Sequence, residues 1–124
     1  MDGTNFEYFV SAKGPFIVIS LLGRMNSKAV PKLNELIAEL AQHTSGMVIV
    51  FNLRDVSEIS GDSLQLFAQI QKEGRARPAE LRLAGVKPEL KTRLLTEGII
   101  RTSEIYDNLQ AAIMATAKPI AKKA

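Results

Sequence analysis

The chain has 124 residues, 46% hydrophobic and 23% charged, with a formal net charge of +3, no cysteine and one histidine. This is one domain, long enough for a core without covalent staples. Disulfides, thiol catalysis and thiolate metal sites are excluded, a multi-histidine metal centre is impossible, and any serine–histidine pair would have to use His43.

The charge is too mild to argue for nucleic acid, and no basic stripe with interleaved aromatics occurs. No apolar run approaches the ~20 residues of a membrane span, so no stable membrane insertion is expected. The N-terminus lacks a basic region followed by an apolar core, so the expectation is no signal peptide and a cytoplasmic location. Lys118 to Lys123, with Pro119 inside it, reads as a solvated basic tail.

In chain order, Phe6 to Ser11 is a short strand carrying three aromatics. Lys13-Gly14-Pro15 marks a turn, and Phe16 to Leu22 is an apolar, central strand, so the two form a hairpin. Ser27 to Gln42 has helical spacing, with Val30, Leu33, Leu36, Ile37 and Leu40 on one face. Asn26 or Ser27 caps it, Pro31 sits in its opening turns, and His43 lies solvent-facing in its last turn. Met47 to Leu53 is a β-branched run typical of a strand covered on both faces. Arg54 to Ile59 reads as a short polar loop. A helix follows from about Asp62 to Glu73, with Gly74 as its C-cap candidate, and Arg75 to Pro78 as a polar connection.

Leu81, Leu83 and Val86 give a further strand. Pro88 opens a helix that runs through Glu97, with Leu90, Leu94 and Leu95 inward, and Gly98 ends it. Ile99-Ile100 docks the following turn, and Glu104-Ile105-Tyr106 is a last short strand. Asp107 or Asn108 caps a final helix with Leu109, Ala112, Ile113 and Ala115, which Pro119 stops. This alternation predicts an α/β domain with a mostly parallel central sheet, an N-terminal hairpin and about four helices.

Several segments, in order, resemble the STAS domain family, which includes anti-sigma factor antagonists and cytoplasmic domains of sulfate transporters. They are Gly23-Arg24-Met25-Asn26 after the second strand and Asn52-Leu53-Arg54-Asp55-Val56 after the central one. Glu80 to Val86, Val86 to Leu95, and Ile105 to Ala112 follow at the family's spacings. The resemblance implies a STAS fold over residues 1–117, with 118–124 as the tail. It also implies a non-catalytic module that binds an anti-sigma factor or serine protein kinase, with a serine phosphatase as a further partner, and regulates transcription. No cofactor is implied.

The family's signature is Asp-Ser-Ser/Thr-Gly-Leu after Val-x-x-Ile, and its second hydroxyl residue is the phospho-acceptor. Aligned on Val56 and Ile59, this chain reads Ser60-Gly61-Asp62-Ser63-Leu64. Asp62 therefore occupies the acceptor position, and Ser63 and Ser60 are the alternative acceptors. The partner-binding surface implied is Arg24, Met25 and Asn26, then Ser57, Glu58, Ile59, Ser60, Gly61, Asp62 and Ser63, with Gln65 and Gln69 on the helix behind it. Met25 and Ile59 are weighed both as apolar contacts of such a surface and as core.

A carboxylate at a helix N-terminus accepts backbone N–H bonds and meets the positive dipole end, worth ~1 kcal/mol. Asp62 thus reads either as a cap alone or as a fixed charge where relatives carry a regulated one; a phosphoserine carries about −1.5 to −2 against the aspartate's −1. A second reading is a soluble accessory subunit of a membrane transporter, or a nucleotide- or lipid-sensing domain. Enzyme readings lack support. Asp55 and Glu58 have no third group beside them, Gly61 is not part of a phosphate-cradling loop, and the second strand lacks the acids a phospho-aspartate receiver needs.

Overall fold

The structure is a computed structural model that describes residues 6–42, 48–76 and 80–114. Its centre is a five-stranded sheet whose spatial order is the chain order. The strands are β1 (Glu7–Lys13), β2 (Phe16–Met25), β3 (Val48–Ile59), β4 (Glu80–Ala84) and β5 (Ile105–Tyr106). β1 runs antiparallel to β2, and the remaining neighbours are parallel. The expected hairpin and mostly parallel sheet are both present.

The four helices are α1 (Val30–Leu40), α2 (Gly61–Ala76), α3 (Pro88–Thr96) and α4 (Leu109–Met114). The apolar stripes of α1, α2 and α3 bury Leu33, Leu36, Phe67, Ile70, Leu90 and Leu94 on one face of the sheet. Phe67 meets Phe51 of β3 edge to face, with ring centroids 6.1 Å apart. α4 packs on the opposite face, where Ala112 joins Val18, Val48, Val50 and Ala84 in a smaller cluster.

Several boundaries differ from the sequence reading for identifiable reasons. The expected polar loop at Arg54 to Ile59 is the second half of β3. Ser20 pairs with Asn52 but Leu22 with Asp55, and Gly23 pairs with Val56 but Arg24 with Glu58. Each step inserts one extra β3 residue and switches which face the next side chain meets. The buried positions therefore fall at Leu53, Val56 and Ile59 rather than alternating, so the stretch looks like a loop when read for period two. The helix expected from Ser27 opens instead as a 3-10 turn, Ser27–Ala29, before α1 begins next to Pro31. Asn26 caps this turn, its Oδ1 accepting from the Lys28 N–H at 3.0 Å.

α2 also continues beyond Gly74, so Gly74 is not its C-cap. The extension brings Arg75 to Glu104 through two bonds, of 2.7 and 2.9 Å, and to the Ile99 carbonyl at 2.7 Å. Glu104, expected in the last strand, sits instead in a 3-10 turn where it receives that arginine and the Arg101 N–H. Asn108 rather than Asp107 caps α4, accepting from the Ala111 N–H at 2.8 Å. Met47, His43, the Arg77-Pro78 connection, Ala115, the Pro119 stop and the basic tail lie outside the described residues.

Two polar features carry weight in the packing. Tyr8 ties β1 to α1 by donating to Glu39 Oε1 at 3.3 Å, and burial, followed by the Glu39 and Glu35 carboxylates, pushes its phenol above the ordinary tyrosine value. Gln71 of α2 is fully buried, and its amide finds no hydrogen-bond partner among the described residues. Gln71→Met removes that amide at similar volume and should stabilise the fold by about 1 kcal/mol, seen as a higher urea midpoint. A lowered midpoint would mean that the amide is satisfied after all.

Candidate functional site

The carboxyl ends of β2 and β3 rise together and turn into helices side by side. The ladder extends one step past β3, where the Ser60 N–H donates to the Met25 carbonyl at 2.8 Å. Gly61 then turns the chain with φ of +59°, a left-handed conformation that side chains disfavour. A Cβ there would also meet Ser27 Oγ at 3.1 Å, so glycine lets the β3–α2 turn lie against the β2–α1 turn. The next residue, Asp62, opens α2 as its one acidic first-turn residue and is exposed.

Ser63 locks the two turns together. It is fully buried, and its hydroxyl donates to the Asn26 carbonyl, which also accepts the Ala29 N–H. Ser60 is half-buried, and its hydroxyl donates to Glu58 Oε2 at 3.1 Å. Ser57 is exposed, 3.4 Å from the Gly23 carbonyl it donates to. Two cations from the neighbouring layer hold the carbonyls of this segment. Lys87 donates to the Arg54 carbonyl at 2.6 Å, and Arg93 of α3 to the Ile59 carbonyl at 3.0 Å.

Of the sequence-derived positions, Arg24, Ser57, Gly61 and Asp62 are exposed on one rim, with Asn26, Glu58 and Ser60 half-buried among them. Gln65 and Gln69 lie exposed further along α2. Three expectations are corrected. Met25 and Ile59 are core, at 0% and 1% exposure: Met25 continues the inward alternation of Ile17, Ile19 and Leu21 along β2, and the β3 bulges turn Ile59 to the same face. Ser63 belongs to the packing between the turns rather than to the outer face of α2. Sequence reasoning missed Arg93 and Lys87. Their signal is faint: each is a cation beside an apolar stripe, indistinguishable from solvated lysines and arginines until the β3 carbonyls are placed.

The rim offers a carboxylate at a helix N-terminus, neighbouring hydroxyls and an exposed arginine on a rigid sheet end. It is suited to recognition by surface contact. The fold is a small α/β domain with one hairpin strand, a sequentially ordered sheet and helices on both faces. The chain belongs to the STAS domain family, whose model matches residues 10–112.

Solved structures agree on the fold. An anti-sigma factor antagonist from Mycobacterium paratuberculosis is similar with a TM-score of 0.72 and 17% identity, covering 88% of this chain and 92% of that one. A sulfate transporter family protein from Wolinella succinogenes gives 0.68 and 17%, covering 82% and 84%. The phosphorylated form of the Bacillus cell fate determinant SpoIIAA gives 0.64 and 17%, covering 86% and 93%. No curated protein sequence matches this chain. No helix among the described residues is long and apolar enough to cross a membrane.

Proposed function

We propose that this chain is a non-catalytic regulatory module of the anti-sigma factor antagonist type. Its partner is an anti-sigma factor or a serine kinase of that switch, and the docking rim is formed by Arg24, Asn26, Ser57, Glu58, Ser60, Gly61 and Asp62. The observation that carries the reading is Asp62, an exposed carboxylate at the start of α2; the resemblance to the family's signature implies that it stands at the position of a regulated hydroxyl. A fixed charge there biases the domain permanently toward one binding state. Among the two serines, Ser60 is the one whose hydroxyl reaches the rim, since Ser63 is spent on the Asn26 carbonyl.

The test is affinity capture from the native host, followed by titration of the captured protein against wild type, Asp62→Ala and Asp62→Ser. Removing the charge should change affinity about tenfold or more, equivalent to about 1.4 kcal/mol. Replacing the exposed Thr92 of α3 should leave it unchanged. Equal affinity for all Asp62 variants would sink the charge-mimic reading.

A ligand-sensing or transporter-associated role is the second reading, favoured by a cleft of about 430 Å³ lined by Asn52, Arg54, Gly85, Asp107, Asn108 and Gln110. It opens at the carboxyl ends of β4 and β5, where α/β sheets commonly hold ligands. The close approach that shapes it depends on Gly85, with φ of +73° and the Arg54 backbone within 3.3 Å of where a Cβ would sit. A thermal shift on adding nucleotides would favour this reading over the first.

A further inference from the structure

The two edges of the sheet differ. β5 is a two-residue strand. β1 has seven residues, every one paired to β2 without a bulge, and no other strand among the described residues covers its outer side. Natural edges are blunted by proline, bulges or charges within the strand. β1 has none of these between its ends, and its only charges are the terminal Glu7 and Lys13. At its centre Phe9 is 62% exposed, one of two large apolar side chains so exposed among the described residues.

These features are self-complementary under a two-fold axis. If a second copy of β1 lies antiparallel beside the first with Val10 opposite Val10, the full strand is paired. Glu7 of each copy then faces Lys13 of the other, Tyr8 faces Ala12, and Phe9 faces Ser11. The two Phe9 rings become diagonal neighbours on one face, roughly 7–8 Å apart at the backbone and within aromatic reach. Lys32, which already holds Glu7 Oε1 at 3.1 Å, leaves the other carboxylate oxygen for the incoming Lys13. A closed, isologous pair results, and its contact does not propagate into a fibre.

We propose that β1 is a homodimerisation edge, joining two copies of this chain into a continuous ten-stranded sheet with Glu7 and Lys13 setting the register. One strand pair and one aromatic contact make a small interface, below the ~1,200 Å² of stable complexes, so the association is weak and concentration-dependent.

Sedimentation equilibrium on the whole chain tests this, with two single variants that reverse one charge each. Wild type should pass from monomer to dimer as concentration rises from a few to several hundred micromolar. Lys13→Glu sets Glu7 against a glutamate, and Glu7→Lys sets Lys13 against a lysine, so each alone should remain monomeric across that range. Mixed together, the two variants restore both opposite-charge contacts and should form a heterodimer. The double variant Glu7→Lys with Lys13→Glu should self-associate like wild type. Because both sites are exposed, circular dichroism should show each variant folded. A wild type that stays monomeric at the highest concentration overturns the proposal. So does a Lys13→Glu variant that dimerises as before, or a mixture of single variants that does not associate.

Discussion

Replacing Arg82 with alanine should destabilise the fold by about 3–5 kcal/mol, the usual penalty for stripping one partner from a buried, hydrogen-bonded ion pair. Arg82 is fully buried on the α4 face of β4. Its guanidinium lies 5.7 Å from the Phe16 ring centroid and 5.2 Å from that of Tyr106. It bonds Glu80 Oε2 at 2.8 Å and donates to the Ala112 carbonyl, so one side chain joins β2, β5 and α4 to β4. Its removal takes the guanidinium from Glu80, whose side chain is 13% exposed, and from the Ala112 carbonyl of α4. Urea unfolding measures the loss. Combining Arg82→Met with Glu80→Leu removes both charges and should recover a large part of it. A loss under 1 kcal/mol for Arg82→Ala would show that α4 docks by its apolar contacts alone.

Phe67→Ala should cost a similar amount, about 3–5 kcal/mol, through lost apolar burial and the cavity left behind. Phe67 is fully buried in the larger cluster and carries the edge-to-face contact with Phe51, so it fixes α2 on β3. The same helix begins at Gly61 and presents Asp62 one residue later, so the pose of the rim depends on this contact. Denaturant midpoints give the stability change. Phe67→Leu, which keeps most of the apolar volume, should cost less than half as much. Equal losses from alanine and leucine would mean that ring geometry rather than filled volume sets the position of α2.

The elements of this fold were legible where one physical signal dominated. The β-branched run at Val48 to Leu53, the apolar stripe of α1 and the Pro88-to-Gly98 helix each announce themselves by period, cap or breaker. What was not legible depends on partners distant in sequence. The two bulges of β3 replace period two by a spacing of three at Leu53, Val56 and Ile59, which turns a strand into an apparent loop. Gly74 reads as a terminator until Arg75 finds Glu104. Arg82 alternates with Leu81 and Leu83 as an outward-facing strand residue should, and only the packing of α4 shows that outward is also buried.

The same division holds at the candidate site. The position of Asp62 at the head of α2 and the capping role of Asn26 follow from cap chemistry written in local residues, whereas the need for Gly61 shows only once Ser27 is placed against it. The burial of Ser63 does not, because a serine in a first helical turn reads as exposed until the Asn26 carbonyl is brought above it. Met25 and Ile59 are apolar residues at strand ends that sequence leaves between rim and core; Met25 follows the alternation of Ile17, Ile19 and Leu21 inward, and only the β3 bulges bring Ile59 to the same face.

The claim that the rim carries a fixed rather than a switched charge is tested most directly by intact-protein mass spectrometry with site mapping. The protein is taken from its native host under several growth conditions. The account predicts the unmodified mass throughout, with the charge at the head of α2 supplied by Asp62 alone. A phosphate on Ser60 that appears and disappears with growth conditions would contradict it, and would make Asp62 the cap beside a shifted switch.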